Sequence, residues 1–279
     1  MNRRTALAAA AALLFAFAGC TQSILGSAAT ERVEKTFSLE AGGAFRLENV
    51  NGAVRVAEGA EGRVRVVAEK EARAVDGETA RRLLDEVKVE SEATPREVRV
   101  WTVLPRTRFS GLLPRGISLT VSYRVEVPRG TSVEVQTVNG AVEVRVPGAT
   151  VRCETTNGGV EVQGAALLDA AAVNGSIAFD AEDVGEVTTT NGSVEGRIRA
   201  TAPQGGRVET VNGGVTLYLD PRARLRVEAE NVNGGIRCEL PGLQPAKHAL
   251  RGDLNGGGRT LVVETVNGAV ALKALPAEG

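Results

Sequence analysis

The sequence TVNGAVEVRV at residues 137–146 contains the unit from which most of the chain is built. An Asn-Gly pair separates two short segments in which apolar and polar residues alternate, a pattern typical of β-strands. Eight such pairs share the same surroundings: a β-branched apolar residue stands three positions after each asparagine, and a small or polar residue two positions before it. The eight asparagines are Asn51, Asn139, Asn157, Asn174, Asn191, Asn212, Asn233 and Asn267.

The spacing of these pairs indicates a stacked repeat. From Asn139 onward, successive asparagines are separated by 18, 17, 17, 21, 21 and 34 residues, and the last interval is close to two units of 17. Self-similarity with a fixed short period is typical of solenoid proteins, in which each unit packs on its neighbours. A ninth pair, Asn255-Gly256, has Gly258 at the third position and is interpreted as a loop.

Two architectures fit the alternation. In a β-solenoid, each Asn-Gly pair is a corner between two strands of one coil, and the asparagine side chains face inward and stack about 4.8 Å apart. In a meander, each pair is a tight hairpin turn. Burial favours the solenoid, because a long meander leaves its apolar face uncovered, whereas stacked coils enclose one continuous core. We therefore predict an all-β, single-chain β-solenoid (β-helix) with Asn-Gly corners.

The first 20 residues, MNRRTALAAAAALLFAFAGC, are typical of an export signal peptide. Two arginines precede an apolar run that is too short to span a bilayer stably, and the run ends in Phe17-Ala18-Gly19-Cys20. This ending resembles the lipobox of bacterial lipoproteins, in which Cys20 would become the lipidated first residue of the mature chain. An ordinary signal peptide with a chance cysteine is the alternative. Thr21 follows the cysteine, and by resemblance to Gram-negative sorting rules it favours a lipid anchor in the outer membrane.

The rest of the chain is interpreted as a tether and one domain. Residues 21–34 are predicted to be a tether, and residues 35–275 the solenoid domain. A helical insertion is expected at about residues 76–87, with Asp76 as the N-cap of a helix over residues 78–86. Leu83, Leu84 and Val87 give this helix one apolar face, so we expect it to cap an open end or side of the solenoid.

Residues 104–116, LPRTRFSGLLPRG, interrupt the strand pattern and contain three arginines but no acidic residue. One interpretation is a contact loop for a partner or for anionic head groups. The other, which we favour, is a connection between strands whose apolar residues pack back onto the protein. The candidate contact residues are Arg106, Arg108, Phe109, Leu112, Leu113 and Arg115.

Residue types that usually carry catalysis are scarce. His248 is the only histidine, so a Ser-His-Asp or Cys-His site could be built on no other residue. Asp180, Glu182 and Asp183 cluster in a way that could serve glycoside hydrolysis or hold Ca²⁺. Other acids alternate with arginine, as on a solvated face, and aromatic residues make up only 3% of the chain, whereas sugar clefts use aromatic platforms. We predict no catalytic residues, no metal and no cofactor.

The cysteine positions argue against a disulfide, and the net charge argues against one class of partner. Cys153 and Cys238 fall on inward positions of coils that are too far apart for a disulfide, and both are interpreted as small buried hydrophobic residues. The formal net charge of −1 predicts no nucleic-acid partner.

The repeated T-x-N-G-x-V units behind a lipoprotein leader resemble the bacterial putative-adhesin (head-GIN-like) β-solenoid domains of unknown function. The resemblance covers about residues 35–275. It implies a right-handed β-solenoid on the cell surface or in the periplasm, and it supplies no catalytic residues.

Together these observations predict a non-enzymatic lipoprotein of the bacterial cell envelope whose charged solenoid faces act as a binding or scaffold surface. Its partners would be the membrane, through the lipid anchor, and an envelope protein or a glycan. Two alternatives stay open. One is a polysaccharide-active solenoid enzyme that uses residues 180–183, and the other is an accessory subunit in envelope assembly or stress sensing that uses the contact loop.

Overall fold

The computed structural model describes residues 17–23, 26–105 and 116–276, with side chains from residue 27 onward. This part of the chain is all-β with one helix, and its 21 strands form one sheet that wraps nearly closed around a single hydrophobic core. The candidate contact residues lie outside the described residues, as does most of the predicted leader: Arg106, Arg108, Phe109, Leu112, Leu113, Arg115 and residues 1–16.

The strands form two groups along the chain. The first group surrounds the helix and contains the first Asn-Gly pair. It consists of β1 (Phe17–Ser23), β2 (Gly26–Ser38), β3 (Ala44–Glu48), β4 (Val54–Glu58), β5 (Arg63–Ala74), α1 (Gly77–Glu86), β6 (Lys88–Ala93), β7 (Glu97–Val103) and β8 (Ser118–Val127).

The second group carries the other seven repeated Asn-Gly pairs. It consists of β9 (Ser132–Asn139), β10 (Val142–Arg145), β11 (Thr150–Asn157), β12 (Val160–Asn174), β13 (Ile177–Asn191), β14 (Val194–Ile198), β15 (Gly206–Asn212), β16 (Val215–Leu219), β17 (Leu225–Asn233), β18 (Ile236–Cys238), β19 (Ala249–Leu254), β20 (Arg259–Asn267) and β21 (Val270–Ala274).

Each repeated Asn-Gly pair, which we call a junction, stands between two strands that pair with neighbouring units. β9 pairs in parallel with β3 and β11, whereas β10, on the other side of the same junction, pairs in parallel with β4 and β12. The pairing is in register, so that Asn139 lies opposite Asn157 and Val142 opposite Val160. The hairpin alternative is therefore wrong, because hairpin turns would pair the two flanking strands with each other in antiparallel fashion.

The units do not stack in the order of the sequence. β20 pairs with β15 on one side and with β17 on the other, so the last junction, at Asn267, lies between those of Asn212 and Asn233. The interval of 34 residues before Asn267 is thus a return into the stack rather than two further units. At the other end, Asn51 lies beside Asn139, and β2, β5, β6, β7, β8 and α1 form a cap.

The cap is built on α1, and here the sequence prediction is confirmed. Asp76 is the N-cap, and its carboxylate accepts a hydrogen bond of 2.7 Å from the backbone N–H of Thr79. Leu83, Leu84 and Val87 are buried, and the helix packs on β2 and β5. Lys70, on β5, is buried beneath the helix and donates to the carbonyl oxygen of Val87 at 2.9 Å.

The predicted tether, residues 21–34, is wrong for most of its length. β2 pairs with β5 from Ser27 to Ser38, and Ala29 and Val33 are buried in the core. The sequence here is small and polar on one face only, and its alternate residues complete the sheet of the cap. Cys20 lies in β1, which pairs in antiparallel fashion with β2. Cleavage before Cys20 would remove the first residues of that strand.

The second end of the stack is covered by β19. This strand pairs in antiparallel fashion with β17, from Leu225 opposite Leu254 to Glu230 opposite Ala249. Asn255 follows the strand with a φ of 48°, and its Nδ2 donates to the carbonyl oxygens of Pro221 and Ala223. The excluded ninth Asn-Gly pair is therefore a separate turn and takes no part in the junctions.

Candidate binding face

The eight junction asparagines form a continuous ladder of side-chain amides, which we call the amide ladder. Asn139 Nδ2 donates to Asn51 Oδ1 at 2.7 Å, and each further asparagine donates to the one before it at 2.7–2.9 Å, always in the same direction. In space, the ladder runs through Asn51, Asn139, Asn157, Asn174, Asn191, Asn212, Asn267 and Asn233.

The expectation that these amides face inward is wrong. In the unit of β9, Thr137 is buried, whereas Val138 and Asn139 are both exposed, and the same sequence of burial recurs in the other units of β11 to β20. Two successive outward residues show that the alternation of the strand stops where the chain turns. The buried positions are therefore two before and three after the asparagine, and the amide ladder lies on the outside.

The glycine of each junction is required by close approach between units. A side chain on Gly192 would clash with the backbone carbonyl oxygen of Gly175, and one on Gly213 with that of Gly192. Positive φ explains fewer cases, because Gly52, Gly158 and Gly234 alone among the junction glycines adopt it. The stacked turns thus pack so closely that only a hydrogen atom fits between them.

A second ladder of hydroxyl groups lies beneath the amides. Thr155 donates to the carbonyl oxygen of Gly140 at 3.1 Å, and Thr189 to that of Gly175 at 2.8 Å. Asparagine replaces threonine at both ends of the stack. At the cap, Asn49 donates to the carbonyl oxygen of Val121, which belongs to β8. These longer side chains connect the regular units to the irregular strands that cover them.

The end at the cap holds a partly buried chain of hydrogen bonds. Thr102 donates its only hydroxyl proton to Asn49 Oδ1 at 2.9 Å, so the hydroxyl of Tyr123 must be the donor in its 2.7 Å contact with Thr102. Burial raises the pKa of Tyr123 to about 12, which keeps that donor protonated. At the opposite end, His248 is exposed, and its Nδ1 contacts Asn231 Oδ1 at 3.0 Å.

Next to the amide ladder runs a row of exposed valines and threonines, which we call the valine stripe. Its members immediately precede the junction asparagines. Five of the seven large hydrophobic side chains that are exposed in the described chain belong to it, with exposed fractions of 40–64%. In spatial order the row is Val50, Val138, Thr156, Val173, Thr190, Val211, Val266 and Val232. Apolar exposure is thus concentrated in one continuous row.

A groove of about 580 Å³ lies along the part of the stripe nearest the cap. One wall is the stripe itself, from Val50 to Thr190, and the floor includes buried threonines. The other wall is a second row of outward residues. In each strand, its member stands two positions before the residue of the stripe, and the members of neighbouring strands lie opposite one another in the sheet. This row is Trp101, Glu48, Gln136, Glu154, Ala171 and Thr188. Trp101 is half-buried and stands at the end of the groove.

The charges of the groove are acidic and are balanced from outside it. Among its described lining residues, Glu48 and Glu154 are charged and no lysine or arginine is present. Arg152 donates to Glu154 at 2.8 Å, and Arg99 lies 3.8 Å from Glu48. Both arginines are exposed outside the groove, so the groove presents carboxylate oxygens with little net field.

Within the acidic cluster at residues 180–183, Asp180 and Asp183 are already engaged by neighbouring groups. Asp180 is held by Arg199, with contacts of 2.5 and 2.8 Å to its two oxygens. Asp183 is buried and accepts hydrogen bonds from the backbone N–H groups of Val184 and Gln204. In the described ranges, no three His, Cys, Asp or Glu residues are placed to hold a metal ion. This geometry counts against the hypothesis of a polysaccharide-active enzyme.

Cys153 and Cys238 are free thiols. Cys153 is completely buried, and burial raises its pKa to about 12. Cys238 is only half-buried, so its interpretation as a core residue holds in part. The contact loop was the other candidate site, and because its residues lie outside the described ranges, the accessory-subunit hypothesis stays a prediction.

Sequence reasoning missed both the valine stripe and the groove. A signal for the stripe was present, since the residue before every junction asparagine is valine or threonine. No comparable signal existed for the groove. Trp101 reaches it only because β7 pairs with β3, and β3 in turn with β9, across large separations in the sequence.

No protein family matches this chain, and no curated protein does. Solved structures resemble it at low identity. A "putative cell adhesion protein" of Clostridium sporogenes is 12% identical, with a TM-score of 0.40 over 87% of this chain and 99% of that one. A "putative adhesin" of Bacteroides fragilis is 9% identical, with a TM-score of 0.37 over 86% and 96%. A "putative lipid binding protein" of Parabacteroides distasonis is 8% identical, with a TM-score of 0.32 over 88% and 97%. Within the described residues, the one helix is neither long nor apolar enough to cross a membrane.

Proposed function

We propose that this protein is a non-enzymatic lipoprotein of the bacterial cell envelope that acts as a binding or scaffold surface. Its chain would follow a right-handed β-solenoid with Asn-Gly corners, closed at one end by the cap. The valine stripe carries the proposal. Five exposed valines recur along this one row, with threonines at Thr156 and Thr190, and an aligned set of exposed apolar side chains marks interaction surfaces, whereas single exposed valines are common and need no explanation.

The regularity of the stripe supports a partner that is itself extended. Across the eight junctions, the row spans about seven strand separations, or ~34 Å. The amide ladder beside it is fixed by its own hydrogen bonds, so the surface loses little side-chain freedom on binding. A rigid face of this kind is suited to holding an envelope component in place.

The binding proposal is tested by placing charge on the stripe. Val211 and Val266 are neighbours in it, and both lie outside the groove. We expect the double variant Val211→Glu/Val266→Glu to lose binding to isolated envelope material in a sedimentation assay. The matched control is Thr216→Glu/Ala271→Glu, an adjacent pair on β16 and β21 of the same two units. Equal binding by both variants, at wild-type level, would reject the stripe as a binding face.

The lipid anchor is tested separately. The proposal that Cys20 carries the lipid predicts that a palmitate analogue labels the protein in cells and that Cys20→Ala abolishes the label. Persistent labelling of that variant would reject the anchor but would leave the binding face untouched.

A further inference from the structure

We infer that the groove ending at Trp101 binds an uncharged, extended polysaccharide, with one sugar chain lying across the strands. This inference rests on the proposed function, because it names a ligand class for part of the same face. It is carried by the shape of the groove, the chemistry of its two walls and its charge.

The shape requires a narrow and long occupant. The groove crosses six strands, β7, β3, β9, β11, β12 and β13, which corresponds to about 24 Å. Its walls are two residues apart along each strand, or about 7 Å. A second folded copy of this chain is wider than a groove of about 580 Å³, so a single extended chain fits this shape better.

An extended peptide is also a poor occupant. Peptides that bind to sheets add a strand to a free edge and gain backbone hydrogen bonds. The groove runs across strands whose backbone groups already pair with both neighbours, as those of β9 pair with β3 and β11. Recognition must therefore come from side chains, which suits a ligand whose hydroxyl groups project along its length.

The two walls match the two sides of a sugar ring. Val138 and Val173 present methyl groups on one wall, and Gln136, Glu154 and Thr188 present polar atoms on the other. A pyranose has apolar C–H faces and a rim of hydroxyl groups that both donate and accept. The indole of Trp101 at the end of the groove offers a flat surface on which such a C–H face can stack.

Charge selects among polysaccharides. Two carboxylates line the groove, and no cation stands among its described residues, so the carboxylates of a uronic acid chain would find no cationic partner there. Arg152 and Arg99 lie within 4 Å of these two carboxylates, which weakens their attraction for a cationic polymer. An uncharged chain is favoured, since its hydroxyl groups can donate to the carboxylate oxygens.

The spacing of the rows supports the same ligand. Equivalent side chains recur about every 4.8 Å across the groove. Each residue of an extended β-1,4-linked hexose chain advances the polymer by a similar length. Successive sugars can therefore meet equivalent wall positions, which would let affinity rise with the length of the oligosaccharide.

The experiment uses the full mature chain and soluble oligosaccharides. Trp101 is the only tryptophan, so intrinsic fluorescence reports directly on the groove. We expect oligosaccharides of β-linked glucose or β-linked N-acetylglucosamine to change that fluorescence, and polyuronate oligosaccharides of the same length to leave it unchanged. Calorimetry on Trp101→Ala, and on Ala171→Arg near the other end of the groove, should show an affinity at least tenfold lower.

Tyr218→Ala is the matched control. Tyr218 is a half-buried aromatic residue on β16, outside the groove, with Lys273 Nζ 5.6 Å from the centre of its ring. Its loss should leave sugar affinity unchanged. Ala171→Arg changes a solvent-facing residue, so it keeps the test decisive if Trp101→Ala fails to fold. Tighter binding of the polyuronate, or binding that neither groove variant weakens, would overturn the inference.

Failure of this inference can be told apart from failure of the proposed function. If no uncharged sugar binds, but Val211→Glu/Val266→Glu still abolishes binding to envelope material, the face binds something other than a polysaccharide in this groove. If the groove variants no longer bind sugar while that double variant still binds envelope material, the groove is a sugar site. The proposal that the valine stripe binds envelope material is then rejected.

Discussion

Thr189 Oγ1 donates a hydrogen bond of 2.8 Å to the backbone carbonyl oxygen of Gly175 in the neighbouring unit. The same bond joins most successive units of the stack. Thr137 occupies the equivalent position beside the cap, yet its buried hydroxyl has no hydrogen-bond partner among the described residues. The expected acceptor, the carbonyl oxygen of Gly52, is instead contacted by Asn49 Nδ2 at 3.2 Å. The longer asparagine side chain has thus taken the place of the threonine.

This difference predicts opposite effects of one substitution at two sites. Thr189→Val removes an existing hydrogen bond and leaves the carbonyl oxygen of Gly175 without that donor. This should lower the free energy of unfolding by about 1–2 kcal/mol. Thr137→Val removes a buried group that has no partner, so we expect it to be neutral or stabilising. Urea unfolding of both variants checks the pair. Equal destabilisation would show that Thr137 has a partner after all.

A second prediction concerns the glycines of the junctions. Gly192→Ala should destabilise the protein by about 1–3 kcal/mol, because the added methyl group must push apart two units whose backbones are in contact. Gly235 is the control: it directly follows a junction glycine, but a side chain there would meet no atom within 4 Å. Its alanine variant should lie within about 0.5 kcal/mol of wild type. Thermal melts followed by circular dichroism give the comparison.

The amide ladder contributes less to the free energy of unfolding than it would if the amides faced inward. Asn191 donates to Asn174 and accepts from Asn212, but water can replace both bonds because the side chains are exposed. Asn191→Leu should therefore cost about 0.5–1.5 kcal/mol. Thr190→Ala, one residue earlier on the same outward turn, is the control and should be close to neutral. A loss above about 3 kcal/mol for Asn191→Leu would indicate an amide that water does not reach.

The all-β character and the one helix could be predicted from the sequence because their signals are local. Alternation located the strands, the capping pattern at Asp76 located the helix, and the eight Asn-Gly pairs located the junctions. The predicted inward direction of the asparagine side chains was wrong. Alternation predicts which face of the sheet a residue occupies only while the chain stays extended, and the chain turns after Thr137. The groove could not be predicted, since it depends on which strands become neighbours. Glu48 and Gln136, for example, lie opposite each other only because the cap returns the chain to β3.

The last prediction is a loss of stability at alkaline pH that depends on Tyr123. Its side chain is 1% exposed, and burial raises its pKa from an ordinary value near 10 to about 12. Between these two values, the unfolded chain releases the phenol proton while the folded chain still holds it. Stability from this group is therefore complete below about pH 10 and is lost as the pH rises toward about 12, by about 2–3 kcal/mol in all.

Tyr123→Phe isolates this effect. The variant should be less stable than wild type near neutral pH by about 1 kcal/mol, because the bond to Thr102 is lost. It should nevertheless decline less steeply above pH 10, so the two stability curves converge or cross. Cys153 also has a raised pKa, but it is present in both proteins and cancels in the difference. Urea unfolding across this pH range gives the curves, and parallel declines would show that Tyr123 ionises in the folded protein as readily as in the unfolded chain.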